Sequence, residues 1–257
     1  MRILLTNDDG IDSDGLLLLA EALRADGRHR VYVIAPDSNR SAVSHGIVFM
    51  YNALKLVQTG EDSWSCSGLP VDCVMAALLG GFIEKPDLVI SGINRGPNLG
   101  TDLVYSGTAA AARQAALCGI PGIALSLAAF KDFHWKGAIR FVTAELDSLL
   151  SLWREDVFIN VNLPNNAEGP AGMLLTYPSR RFYRDTMAEL KTREKVFYFV
   201  MDSGAVDTEY EEGSDFDAVS RDLVSISPVF IHPVVRRDLC PQAPEHAKTA
   251  PRPVRGG

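Results

Sequence analysis

Short apolar runs that stop abruptly at polar or glycine residues, with a helix-patterned stretch between one run and the next, constrain this chain more than any other feature. Arg2 to Thr6, Val31 to Ala35 and Asp87 to Ser91 read as buried strands, and so does Gly122 to Ser126. Leu16 to Arg24, Val71 to Phe82 and Thr108 to Cys118 read as helices between them. Such alternation specifies an α/β fold with a mainly parallel sheet and right-handed crossovers. Ile47 to Ser67 reads as two or three short strands with turns at Tyr51-Asn52 and Gly60-Glu61, and Gly92 to Gly100 as a long loop.

A further helix is expected from Trp135 to Trp153 and a strand from Val157 to Val161. The pattern then changes. Gly172 to Tyr177, Val196 to Met201 and Leu223 to Val229 look like strands, and Asp202 to Asp217 like an acidic loop. We expect a catalytic core over residues 1–165, a C-terminal β-rich extension or oligomerisation arm over 166–238, and a disordered tail over 239–257, rich in Pro, Ala and Arg.

With 257 residues the chain has enough core to need no staple. Lys and Arg number 25 against 32 Asp and Glu, a net charge of −7, which argues against a nucleic-acid coat. An anionic substrate stays open, because one bound metal ion reverses the local sign. No apolar run is long enough to span a membrane, and acidic residues arrive before any stretch that would serve as a signal peptide. Cys66, Cys73, Cys118 and Cys240 form no C-x-x-C pair and no zinc spacing, so a cytoplasmic location is expected.

In an open parallel sheet, ligands bind outside the carboxyl ends of the strands. Three such ends carry unusual polar loops: Asn7-Asp8-Asp9-Gly10, Asp37 to Ser41, and Ser91 to Gly100. A lone Asp-Asp-Gly is an ordinary turn. At the end of a buried strand, however, two carboxylates about 4 Å apart repel by about 4 kcal/mol at an effective dielectric near 20. A divalent cation removes that penalty, and Mg²⁺ or Mn²⁺ is commonly held by one or two carboxylates. Ser41 and Asn94, each alone an ordinary loop hydrogen-bonder, would complete an all-oxygen site with open positions. Ser106 or Thr108 suits the N-cap of the helix that follows, whose free amides also suit a phosphate. His45 reads equally as a phosphate contact, a proton donor or a structural residue. Arg40 and Arg95 read as anion-steering groups or solvated surface. Walker, G-x-G-x-x-G and G-x-S-x-G patterns are absent.

The segments ILLTNDDGI (Ile3 to Ile11), APD with Arg40-Ser41, GLPVDCV (Gly68 to Val74) and SGINRGPNLGTDLVYSGTAAAA (Ser91 to Ala112) resemble the survival protein E (SurE) family of metal-dependent nucleotidases. NVNLP (Asn160 to Pro164) and SDFDAVSRDLVSISPV (Ser214 to Val229) extend the likeness across nearly all of the chain before the tail. The resemblance implies a Rossmann-like three-layer fold and one divalent cation, Mg²⁺ or Mn²⁺, per subunit on Asp8, Asp9, Ser41 and Asn94. It further implies hydrolysis of nucleoside 5′-monophosphates, often of 3′-monophosphates and sometimes of short polyphosphate, and assembly as a homodimer or homotetramer with an exchanged arm. Three features depart from the family pattern. Asp14 replaces a usual proline, Ala42 stands where glycine usually follows the serine, and Arg180 to Gly213 is unlike the usual arm.

The expected chemistry is metal-assisted phosphate-ester hydrolysis. Asp8 is the catalytic candidate, as base, nucleophile or ligand alone. Asn98, Ser106, Gly107 and Thr108 are the candidates for holding the phosphate oxygens. A receiver-type module also binds Mg²⁺ through an acidic pair, but is much shorter and needs an Asp ending its third strand, where this chain has Ser91. The alternative is a noncatalytic nucleotide- or metal-binding sensor that retains the site.

Overall fold

The computed structural model describes residues 1–191 and 196–234; the expected tail and Cys240 lie outside the described residues. In chain order come β1 (Arg2–Thr6), α1 (Asp14–Ala25), β2 (Arg30–Pro36), β3 (Leu56–Gly60), β4 (Ser63–Cys66), α2 (Pro70–Leu79) and β5 (Leu88–Arg95). A 3-10 turn over Gly100–Val104, α3 (Gly107–Leu117), β6 (Gly122–Ala128), α4 (Trp135–Ser151) and β7 (Val157–Pro164) complete the core. Beyond it lie β8 (Gly172–Leu175), β9 (Arg181–Tyr183), β10 (Thr186–Lys191), β11 (Phe197–Asp202), β12 (Val206–Thr208), α5 (Asp215–Ser220) and β13 (Leu223–Phe230).

Nine of these strands make one sheet in the order β3-β4-β2-β1-β5-β6-β7-β13-β8. All pairs from β4 to β7 are parallel, β3 and β13 run antiparallel to β4 and β7, and β8 is parallel to β13. The central strands read as unbroken apolar runs because both faces are covered. Ile3 and Leu5 face a core built with Leu16, Leu19 and Leu23 of α1 and Val142 and Leu146 of α4. Leu4 faces the opposite core with Val74 and Ala77 of α2 and Ala111 and Ala115 of α3. Each such Leu or Ile contributes about 1.5–3 kcal/mol by leaving water. Helices on both faces of a mainly parallel sheet make the three-layer α/β fold that the alternation specifies.

Three local readings need correction. Ile47 to Lys55 is not strand, although the turn at Tyr51-Asn52 forms on the Val48 carbonyl. The amides of Val48 and Phe49 donate instead to the Asp72 carboxylate in the first turn of α2, which withdraws both from any ladder. The loop expected from Gly92 starts only after Arg95, because β5 continues through the fully buried Ile93. That continuation depends on Gly92: its φ is +136°, and an added Cβ would stand 2.3 Å from the Leu125 carbonyl oxygen. Asp202 to Asp217 is not simply loop, since it holds β12 and the start of α5. Its last two acids are fully buried acceptors, Asp217 taking the Gly213 amide and the Tyr210 hydroxyl.

Candidate functional site

The parallel strands β1, β2 and β5 bring their three polar loops to one edge of the sheet. Asn7 folds the first loop on itself, donating to the Gly10 carbonyl at 2.9 Å and accepting the Gly10 amide at 3.1 Å. The second loop is tied to the first by the Arg40 amide, which donates to the Asp8 carbonyl oxygen at 2.7 Å. The third is tied by the Arg95 amide, which donates to Asp9 Oδ2 at 3.0 Å. In β5 the ladder shifts register between Ser91 and Asn94, a bulge of the kind that re-aims a side chain.

A cavity of about 490 Å³ opens at this edge, and Asp8, Ser41, Asn94, Asn98 and Ser106 all line it. Asp9 lines an adjoining cavity of about 200 Å³ together with Asp37, Ser38 and Arg95. Gly107 and Thr108 stand behind Asp8. Thr108 directs its hydroxyl to Asp8 Oδ1 at 2.5 Å and its amide to Oδ2 at 3.2 Å. An added Cβ on Gly107 would lie 2.9 Å from Asp8 Cβ, so this helix end approaches the carboxylate as closely as a residue without a side chain permits. Ser106 is the N-cap, its Oγ accepting the Ala109 amide at 3.0 Å.

Asp8 is 4% exposed, and burial, with Asp9 adding to it, pushes its carboxyl up to about 6 against the pull of Thr108. Burial also raises Asp9, opposed by the Arg95 amide and charge. Two carboxylates held where burial disfavours their charge are the environment that a cation relieves. Asn94 donates its amide nitrogen to the Gly96 carbonyl at 3.0 Å, which leaves Oδ1 as its free acceptor. Among the described residues no group of three His, Cys, Asp or Glu gathers. An ion at this edge would therefore have two carboxylates and neutral oxygens to rest on, a donor set that fits a hard divalent cation.

Other sequence candidates are engaged elsewhere. His45 Nε2 bonds Gln114 Oε1 at 2.9 Å and does not line the cavity. Arg40 pairs with Asp37 at 3.0 Å, and Arg95, which reaches the cavity, pairs with Asp14 at 2.9 Å. Asp14 thus adds no unbalanced charge. Ala42 adopts φ +59°, a left-handed conformation that costs a non-glycine residue about 1–2 kcal/mol.

The support of Asn98 and part of the cavity wall escaped the sequence reading. Asn98 sits in a buried cradle: Asn160 and Asn162 each donate to its carbonyl at 3.0 Å, and its side chain donates to Ser126 Oγ at 2.7 Å. The pair Asn160 and Asn162 at the end of an apolar strand was the available signal. Asp102, Tyr105, Phe130, Tyr183 and Met201 also line the cavity, as does Asp185. Tyr183, Asp185 and Met201 come from the C-terminal extension, and no sequence pattern marks them.

The survival protein SurE family model matches residues 3–185. The protein called 5′-nucleotidase SurE from Geotalea uraniireducens is 40% identical over 90% of this chain and 93% of its own length. Its namesake from Carboxydothermus hydrogenoformans is 40% identical over 89% of this chain and 90% of its own. The crystal structure of the SurE protein from Aquifex aeolicus superposes with a TM-score of 0.79 at 32% identity, covering 93% of this chain and 97% of that one. Family model, relatives and fold agree with the resemblance carried by the Ser91 to Ala112 block, and the chain belongs to the survival protein SurE family.

Proposed function

We propose that the chain is a divalent-metal-dependent 5′-nucleotidase that hydrolyses nucleoside 5′-monophosphates to nucleoside and phosphate. The observation that carries this reading is the buried Asp8 carboxylate, held by Thr108 at one edge of a cavity shared with Ser41, Asn94, Asn98 and Ser106. The relatives' shared name, 5′-nucleotidase SurE, supports the substrate class.

Asp8, Asp9, Ser41 and Asn94 would hold one Mg²⁺ or Mn²⁺ per subunit. When bound, the ion supplies charge that polarises the phosphoryl group and lowers the pKa of a coordinated water. The protein's own contribution is position. Thr108 fixes the plane of the Asp8 carboxylate through two bonds. The Asn160 and Asn162 cradle fixes Asn98, whose side chain would receive phosphate oxygens together with Ser106. Gly107 and Thr108 belong to the same site through Asp8, at the positive end of α3. Asp8, as the most buried acidic group in the cavity, is the residue we assign to the reaction itself.

Phosphate release from nucleoside 5′- and 3′-monophosphates, short polyphosphate and p-nitrophenyl phosphate tests the reading, in chelator and then in Mg²⁺ or Mn²⁺. Metal-dependent release that favours nucleotides is expected. Silence across the panel with metal binding intact would replace the enzyme by a sensor.

We further propose a homo-oligomer, dimer or tetramer, built through the β10–β11 hairpin. Every residue of β11 is exposed, including Phe197, Tyr198, Phe199 and Val200, so both of its faces present apolar side chains that a soluble monomer rarely leaves open. Light scattering on the purified chain should give at least twice the 28.0 kDa chain mass, and a monomer mass would overturn this. A cytoplasmic location is supported by Cys66, Cys73 and Cys118, which are free thiols. No helix among the described residues is long and apolar enough to cross a membrane.

A further inference from the structure

We infer that the rim of the cavity is a base-stacking subsite walled by Phe130, Tyr105, Tyr183 and Met201, so that the C-terminal extension takes part in selecting a nucleotide over other phosphate esters. The inference rests on the nucleotidase reading and deepens it. The cavity joins the buried polar groups Asp8, Asn98 and Ser106 to exposed rings, with Arg95, Asp102 and Asp185 also on its wall. A nucleotide has the same division, a charged phosphate at one end and a flat base with a π-face at the other. At about 490 Å³ the cavity has the size of an ordinary small-ligand site.

The rings belong to none of the hydrophobic cores and present open faces. Phe130 is 81% exposed, Tyr105 52% and Tyr183 38%. Phe130 stands against the glycine loop, where an added Cβ on Gly96 would meet its Cε1 at 3.4 Å. Tyr105 and Tyr183 meet edge to face, centroids 6.0 Å apart and planes at 89°.

The Tyr183 ring is also held in place. Its hydroxyl donates to Asp102, which is paired at the same time with the Arg181 guanidinium, and the Arg181 amide donates to Thr101 Oγ1 at 3.0 Å. Together these contacts fasten β9 to the 3-10 turn. Burial and the Asp102 charge raise the Tyr183 phenol, so it stays a donor throughout the working pH range. A ring fixed beforehand loses little freedom when a base stacks on it, and a stacked base is worth about 1–3 kcal/mol by alanine substitution.

The test compares AMP with ribose 5-phosphate, which offers the same phosphate ester without a base. Wild type, Phe130→Ala, Tyr105→Leu and Tyr183→Ala would be assayed on both in Mn²⁺, with Tyr183→Phe as the variant that keeps the ring. In wild type kcat/KM for AMP should exceed that for ribose 5-phosphate by at least tenfold. Each ring deletion should shrink this ratio roughly five- to a hundredfold, mainly through the KM for AMP, whereas Tyr183→Phe should retain most of it. Phe130 is too exposed for its loss to unfold the chain, so that variant stays readable if Tyr183→Ala misfolds. A ratio near one in wild type, or equal losses on both substrates in the Phe130 variant, overturns the subsite and leaves the phosphatase standing. No release from either substrate by wild type overturns the nucleotidase reading itself.

Discussion

Replacing Asp8 by asparagine is expected to lower metal-dependent phosphate release from nucleotides by about 10³-fold or more and, in chelator at pH 8, to raise the melting temperature. The first effect follows from removing the most buried anionic oxygen donor of the cavity, worth several kcal/mol to the reacting charge. The second comes from the burial of the carboxyl, which holds it near 6 instead of the ordinary 3.8 of an aspartate. A carboxyl raised on folding favours the folded state while protonated, and that advantage is lost as pH climbs through about 6. Above pH 7 the ionised Asp8 therefore costs metal-free wild type about 3 kcal/mol, or roughly 5–10 °C for a chain of this size.

Asparagine escapes the cost and keeps the contacts. Its oxygen can take the Thr108 amide, and its nitrogen can donate to the Thr108 hydroxyl, which accepts as readily as it donates. The difference between the two proteins should vanish at about pH 4 and be complete by about pH 8. Saturating Mn²⁺ should reverse the order, because binding stabilises wild type alone. Melting curves at these two pH values, with and without the ion, read all of this. Wild type at least as stable as Asp8→Asn at pH 8 in chelator would sink the assignment.

What made this edge legible in the sequence was the sheet. Once β1, β2 and β5 are read as parallel from their apolar runs, their carboxyl ends must lie together, and Asp8, Ser41 and Asn94 follow without any knowledge of side-chain positions. Thr108 was legible only as a member of the α3 end. That it serves Asp8 depends on Gly107 letting the helix come close, which is a tertiary distance and not a pattern. Asn160 and Asn162 carried a signal, polar residues in a buried strand, yet nothing local says that they would hold Asn98 from more than 60 residues away.

The aromatic rim was invisible for a different reason. Phe130, Tyr183 and Met201 lie in segments whose spacing means nothing until β9 docks on the 3-10 turn. The misread stretch from Ile47 to Lys55 has a similar origin. Its apolar residues look strand-like, but the Val48 and Phe49 amides are taken by the Asp72 carboxylate, a long-range acceptor that propensity does not register. Asp202 to Asp217 misled by composition, since acids usually mark solvent and here the last two are interior acceptors.

One of those acids should carry the largest single contribution to the join between core and extension. Asp215 is fully buried, and its two oxygens accept the Gly100 amide at 2.7 Å and the Ser179 amide at 2.9 Å. It thus clips the start of the 3-10 turn to the segment that leads into β9. Asp215→Ala removes both acceptors at once, and a buried amide left without a partner costs about 1–3 kcal/mol, so a loss of about 2–5 kcal/mol is expected in denaturant unfolding. Asp215→Asn, which keeps one acceptor and turns a donor toward the other amide, should fall between. Burial raises this carboxyl despite the amides that pull it down, so its protonated form is the better folded and the margin over alanine should narrow as pH rises past the ordinary carboxylate range. Because Asp102 and Tyr183 hang on the same two segments, the alanine variant should also bind AMP about tenfold more weakly at temperatures where it is folded. Alanine within about 1 kcal/mol of wild type, with the KM for AMP unchanged, would show that the extension is held by other contacts and that the rim does not depend on this clip.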